Sequence, residues 1–201
     1  IYFNEKIAFE DLEEFAIHEC IHYIQEVKDK KNNLVRMGLC NFDNFKILGM
    51  GLNEAAVQYM TSKVIGIERD YVKYFGISFR TISPSYYPLE CNLIEQMAYI
   101  TGEEVLFDST FTSNDKFKNA FIEKTSEKTY DEVEYCIDQI LEIEENIIKL
   151  SNKFASYDER NKKVDKIVAK TDNCKTKIAD YFTKAQNLII KNYFDKAFKK
   201  I

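Results

Sequence analysis

Apolar side chains recur at three- and four-residue intervals through most of this chain, the spacing of amphipathic helices rather than of alternating strands. Ile17, Ile21, Ile24 and Val27 form the first stripe and predict a helix. Asp11 could cap it, with Glu14 three residues on in capping-box position. A second helix is predicted from Leu52 to a stop at Gly66, its core side carrying Ala56, Val57, Met60, Val64 and Ile65. After a short aromatic segment (Tyr71, Val72, Tyr74, Phe75), residues Gly76 to Ile82 alternate as a short strand does. Both prolines, Pro84 and Pro88, lie in a loop that opens a helix from Leu89 to Thr101. Leu89, Leu93, Met97 and Ile100 form its stripe, and Gly102 ends it.

From about Asp115 the pattern becomes one of long polar helices with narrow apolar stripes. Val133, Ile137, Ile140 and Ile147 form one, and a polar break follows over Ser156 to Asn161. Two further helical stretches carry Val164, Ile167 and Val168, then Ile178, Phe182, Leu188 and Ile189. Glu144 and Ser151 interrupt a regular heptad, which predicts a packed bundle instead of a coiled coil. Ile1 to Phe3 reads as the end of a strand, with Asn4 to Lys6 as a turn. Six glycines and two prolines are too few for long sheets with tight turns. The expected fold is mainly α with minor β: a core over residues 1–114 and a C-terminal helical bundle over 115–201.

Composition narrows the function classes. A net charge of −5 argues against a nucleic-acid binder that relies on phosphate contacts. The lysines at 191, 196, 199 and 200, interrupted by Asp195, read as a solvated helix end. No apolar run approaches the roughly 18 residues that cross a bilayer, so no membrane role is expected. Five cysteines (20, 40, 91, 136, 174) form an odd set without CxxC spacing. They read as reduced structural thiols in a cytoplasmic protein. The chain starts at Ile1 without Met, which suggests processing or trimming from something longer. Oligomeric state has no signature in the sequence.

The two histidines change the picture most. His18 and His22 are the only ones, four residues apart, with Glu19 directly after the first: the HExxH pattern. Two histidines placed at random in a chain this long fall four apart in roughly 1% of arrangements, and requiring the Glu leaves roughly one in a thousand. On a helix both imidazoles share a face and can reach one ion. Glu19, about 100° round the helix, can hold a water beside that ion without being a ligand. A catalytic zinc site takes three protein ligands and leaves one position open. With no third histidine, Glu54 is the leading candidate, and Glu90, Glu95 and Glu68 are its rivals. Cys20 points about 160° away from His22 on the helix and is a poor one.

An HExxH helix followed by a second helix bearing Asn53-Glu54-Ala55 resembles the gluzincins, the thermolysin-like branch of the zincin metallopeptidases. The resemblance covers roughly residues 1–65. It implies His18, His22 and Glu54 as zinc ligands, Glu19 as the catalytic glutamate and Asn53 as the Asn before the ligand. Gln58 stands where such enzymes place an Asp that orients the first histidine. The 32 residues from His22 to Glu54 are nearer the spacing of clostridial neurotoxin-like light chains. In zincins, strands precede the HExxH helix and the one nearest the cleft pairs with substrate backbone. The family often supplies a downstream Tyr or His to the oxyanion, which makes Tyr86 and Tyr87 candidates, although in a chain with 13 tyrosines a surface or packing role is the commoner one. Arg80 reads as a surface ion-pair residue. The expected activity is hydrolysis of a peptide or protein by zinc-activated water, with Glu19 as general base. A version of it is a regulatory peptidase like those cleaving repressors in phage-like elements. The alternative class is a non-catalytic zincin-like binding or scaffold protein.

Overall fold

The structure, a computed structural model, describes residues 11–43, 46–154 and 163–199. Its helices are α1 (Leu12–Gln25), α2 (Met50–Val64), α3 (Pro88–Thr101), α4 (Glu103–Thr112), α5 (Lys116–Lys124), α6 (Glu127–Phe154) and α7 (Lys163–Phe198). Between α1 and α2 runs a meander of four short strands, β1 (Glu26–Lys28), β2 (Leu34–Met37), β3 (Cys40–Asp43) and β4 (Lys46–Leu48). They pair antiparallel in the order β1-β2-β3-β4. A hairpin of β5 (Asp70–Tyr74) and β6 (Ile77–Thr81) precedes α3. The fold is mainly α with minor β, as the pattern predicts. Among the described residues no helix is long and apolar enough to cross a membrane.

Helix α2 is the axis of the molecule. Leu52, Ala55, Ala56 and Val57 are all fully buried, so this helix is covered on every side instead of along one stripe. Its small residues let neighbours come close. A Cβ on Gly51 would lie 2.8 Å from the Ile137 carbonyl oxygen of α6, a distance that real side chains do not tolerate. Gly51→Ala is therefore expected to overpack this crossing and cost about 1–3 kcal/mol, read as a lower urea midpoint. From the same stretch of α6 the Asp138 carboxylate accepts the Gly49 and Gly51 N–H groups at 2.9 and 2.8 Å. These are orphan donors at the start of α2, and an anion is favoured there.

One buried cluster joins helices α2 to α7, and a smaller one, of Ile21, Val57 and Met60, seats α1 on α2. Leu52 and Tyr59 of α2, Leu89, Leu93 and Met97 of α3, Val133, Ile137 and Ile140 of α6, and Ile178, Phe182 and Ile189 of α7 belong to a single buried cluster. The expected boundary near residue 115 falls between α4 and α5, and α5, α6 and α7 pack on that same core. α6 and α7 run antiparallel: Tyr135 meets Tyr181, and Ile147 and Ser151 share a surface depression with Ile167 and Thr171.

Several expectations shift. α1 stops at Gln25, so Val27 sits in β1 and both Ile24 and Val27 are exposed; of the predicted stripe only Ile21 is buried. Asp11 precedes α1 but makes no side-chain cap bond. The two stretches after the polar break are one continuous helix, α7, of 36 residues. Ile1 to Lys6 and Ser156 to Asn161 lie outside the described residues.

Candidate metal centre

Packing of α1 against α2 brings the HExxH face to Glu54. The two Nε2 atoms of His18 and His22 lie 3.0 Å apart. His18 Nε2 is 3.3 Å from Glu54 Oε2, and His22 Nε2 is 3.3 Å from Glu54 Oε1. Ligands about 2.0–2.1 Å from a tetrahedral ion are separated by roughly 3.4 Å, so these three groups have the spacing of a zinc site.

The protonation of each imidazole follows from its outer partner. The Leu39 backbone N–H can only donate, and it meets Asn53 Oδ1 at 3.0 Å. Asn53 Nδ2 is therefore the donor end, and it faces Gln25 Oε1 at 3.3 Å, while Gln25 Nε2 returns a bond to Asn53 Oδ1. Gln25 Oε1 is then an acceptor where it meets His22 Nδ1 at 3.2 Å, so His22 carries its proton on Nδ1. A parallel chain fixes His18. Ser83 Oγ donates to the Tyr86 carbonyl and so accepts from Gln58 Nε2 at 3.0 Å; Glu14 accepts from the same nitrogen. Gln58 Oε1 thus faces His18 Nδ1 at 3.0 Å, and that nitrogen must be N–H. Both Nε2 lone pairs are left pointing at each other and at a carboxylate. Such a donor set fits a cation.

Electrostatics agree. Burial alone would raise the Glu54 pKa, but His18 and His22 outweigh it and hold the carboxyl down to about 2. Burial lowers His22, and the Glu54 carboxylate more than reverses that, leaving the imidazole above its usual value. The group favours a positive charge at its centre, whether a proton or a metal ion supplies it.

Gly38 shows how tightly the supports are packed. It adopts a φ of +56°, and any Cβ there would collide with the Asn53 and Gln25 amides. Asn53→Ala is expected to free Gln25 and His22 together and weaken metal affinity about 10–100-fold, with the fold retained, as measured by chelator competition.

Around this centre lies a cleft of about 580 Å³. Glu19 is exposed and lines it, together with Tyr86 and Tyr87. The two tyrosines differ. Tyr87 stacks on His18 (centroids 6.2 Å, planes 24° apart), and burial and the Glu54 carboxylate push its phenol well above the ordinary value, so it stays a donor. Its backbone is left-handed, φ +48°, a sparsely populated state for a bulky residue, held where the chain enters α3. Tyr86 packs edge-on against Phe15, and burial followed by Asp11 raises its phenol.

The rival ligands lie elsewhere. Glu95 pairs with Arg69, Glu68 is exposed, and Glu90 is fully buried outside the cluster. Arg80 is exposed on β6 and does not line the cleft. Gln25 and Ser83 escaped sequence reasoning. Gln25 had a signal, since three residues past His22 keeps it on the metal face. Ser83 had none. Comparison with family models, with curated proteins and with solved structures finds no match.

Proposed function

We propose that this chain is a zinc-dependent, peptidase-like hydrolase of gluzincin character. One observation carries the reading: amide networks anchored on the Leu39 N–H and on Ser83 turn both histidine Nε2 lone pairs toward the Glu54 carboxylate, within 3.3 Å. His18, His22 and Glu54 would hold the ion. Zinc in such a setting makes water acidic near neutral pH and polarises a carbonyl.

The chain's own residues supply the remaining chemistry. Glu19 borders the cleft beside both histidines without being among the ligands. It takes the proton of the attacking water and returns it to the leaving amine. Tyr87 keeps its proton and donates to the developing oxyanion, a role that Tyr86, turned toward Phe15, is less well placed to fill. Gln58 and Gln25 hold the imidazoles, and Glu14 behind Gln58 brings a carboxylate to the His18 side through an intervening amide. The cleft is large enough for a short stretch of peptide.

Metal analysis of the purified chain beside its His18→Ala variant tests the reading. One zinc per wild-type chain, lost in the variant, is the expected result. A wild-type chain that takes up no zinc from zinc-replete buffer would overturn it.

A further inference from the structure

Beside the metal centre the same cleft holds a second acidic feature that the proposed hydrolysis does not use. Glu144 of α6 lines the wall, is 9% exposed, and its Oε1 has no hydrogen-bond partner among the described residues. Directly behind it Glu90 of α3 is fully buried, and neither of its carboxyl oxygens has a partner there. Tyr74, delivered by the β5–β6 hairpin, turns its phenol toward Glu144. Two carboxyls in contact in a buried setting are costly unless a positive charge joins them. Burial pushes Glu144 up to about 7 although its contacts with Glu90 and Tyr74 pull the other way, and burial together with the Glu144 charge holds Glu90 well above its ordinary value.

A shared proton can satisfy this pair when nothing is bound. The composition of the cleft points to a better occupant. Glu14, Glu19, Glu54 and Glu144 line it, and among the described residues no lysine or arginine does. Met37, Met50 and Ile148 supply apolar wall, with Ile148 four residues after Glu144 on the same face of α6. An aliphatic stem ending in a cation matches that sequence of surfaces: methylenes against the methionines and Ile148, charge on the carboxylates.

We infer that Glu144, backed by Glu90, is the specificity site of this cleft and receives the lysine or arginine side chain of a peptide substrate. This deepens the hydrolase reading and rests on it. The pair is carried by α3 and α6 while the candidate ligands are carried by α1 and α2, so the cationic subsite and the metal centre can be tested separately.

The test uses n-pentylguanidinium as probe and its neutral isostere n-pentylurea, with n-pentylammonium as the lysine arm. Binding is read from the methyl resonances of Met50 and Ile148. Both cations are expected to saturate these shifts at concentrations at least about tenfold below pentylurea, in the zinc-loaded chain and in His18→Ala alike. Glu144→Gln, nearly isosteric, should bring the cations back to the pentylurea level while its circular dichroism stays native. Glu90→Gln should weaken the preference without reversing it, and covers the case in which Glu144→Gln fails to fold. Equal response to cation and urea, or an undiminished preference in both variants, would overturn the inference. A chain that discriminates the cation but takes up no zinc would instead overturn the hydrolase reading alone.

Discussion

Glu19→Gln is expected to keep its zinc and lose hydrolysis, with kcat/KM on a quenched-fluorescence peptide mixture falling roughly 10²–10⁴-fold. The amide has the size of the carboxylate and can still hold a water, but it cannot accept the proton that the attacking water must lose. Coordination should be untouched, because the three groups that converge are His18, His22 and Glu54, while Glu19 is turned out to the cleft. The two readouts separate the roles. Activity should fall and zinc content per chain should not. Loss of both together would mean that Glu19 holds the metal or the local fold, and the division argued here would fail.

Glu54→Ala is expected to do the reverse: zinc affinity collapses first, and activity with it. Four-ligand sites bind zinc with about 10–16 kcal/mol, so one ligand carries on the order of 3 kcal/mol, roughly 100–1,000-fold in affinity. Two imidazoles with 3.0 Å between their bare nitrogens then face each other without the carboxylate that both approach. Titration against a fluorescent chelator measures the loss. Because Leu52 and Ala55 on either side of this position are buried through packing that Glu54 does not provide, the thermal transition of the metal-free variant should stay cooperative. Normal zinc binding by Glu54→Ala would remove Glu54 from the ligand set.

The candidate metal centre was legible in the sequence where its geometry is local. His18 and His22 are one helical turn apart, so their convergence needs only that α1 be a helix. Glu54 and Gln58 were reached through a motif on a second helix, four residues apart on one face. What lay hidden depends on the packing of distant segments. The strands of the meander are three or four residues long, too short for alternation to register, and β1 is exposed throughout. Gln25 belongs to no motif, and its role appears only once Asn53 stands opposite it. Glu144 read as a break in a heptad; in the structure the break is where α6 turns a carboxyl into the cleft. The apolar stripe of α1 was misread for a physical reason as well. The helix ends where Gln25 is tied to Asn53, so residues beyond it follow strand geometry.

The contact between Asp138 and the start of α2 spans 87 residues, against 36 between His18 and Glu54. On a ribosome adding about 5–20 residues per second, the three candidate ligands emerge on the order of ten seconds before α6 is complete. During that interval the amides opening α2 lack their anionic cap, and the cleft lacks the wall carrying Glu144 and Ile148. Long-range closures are also the slow steps of folding, since their loop entropy is lost before the contacts repay it. The candidate centre therefore matures well after its own ligands have been made. A nascent chain thus carries all three candidate ligands before the wall of the cleft beside them exists.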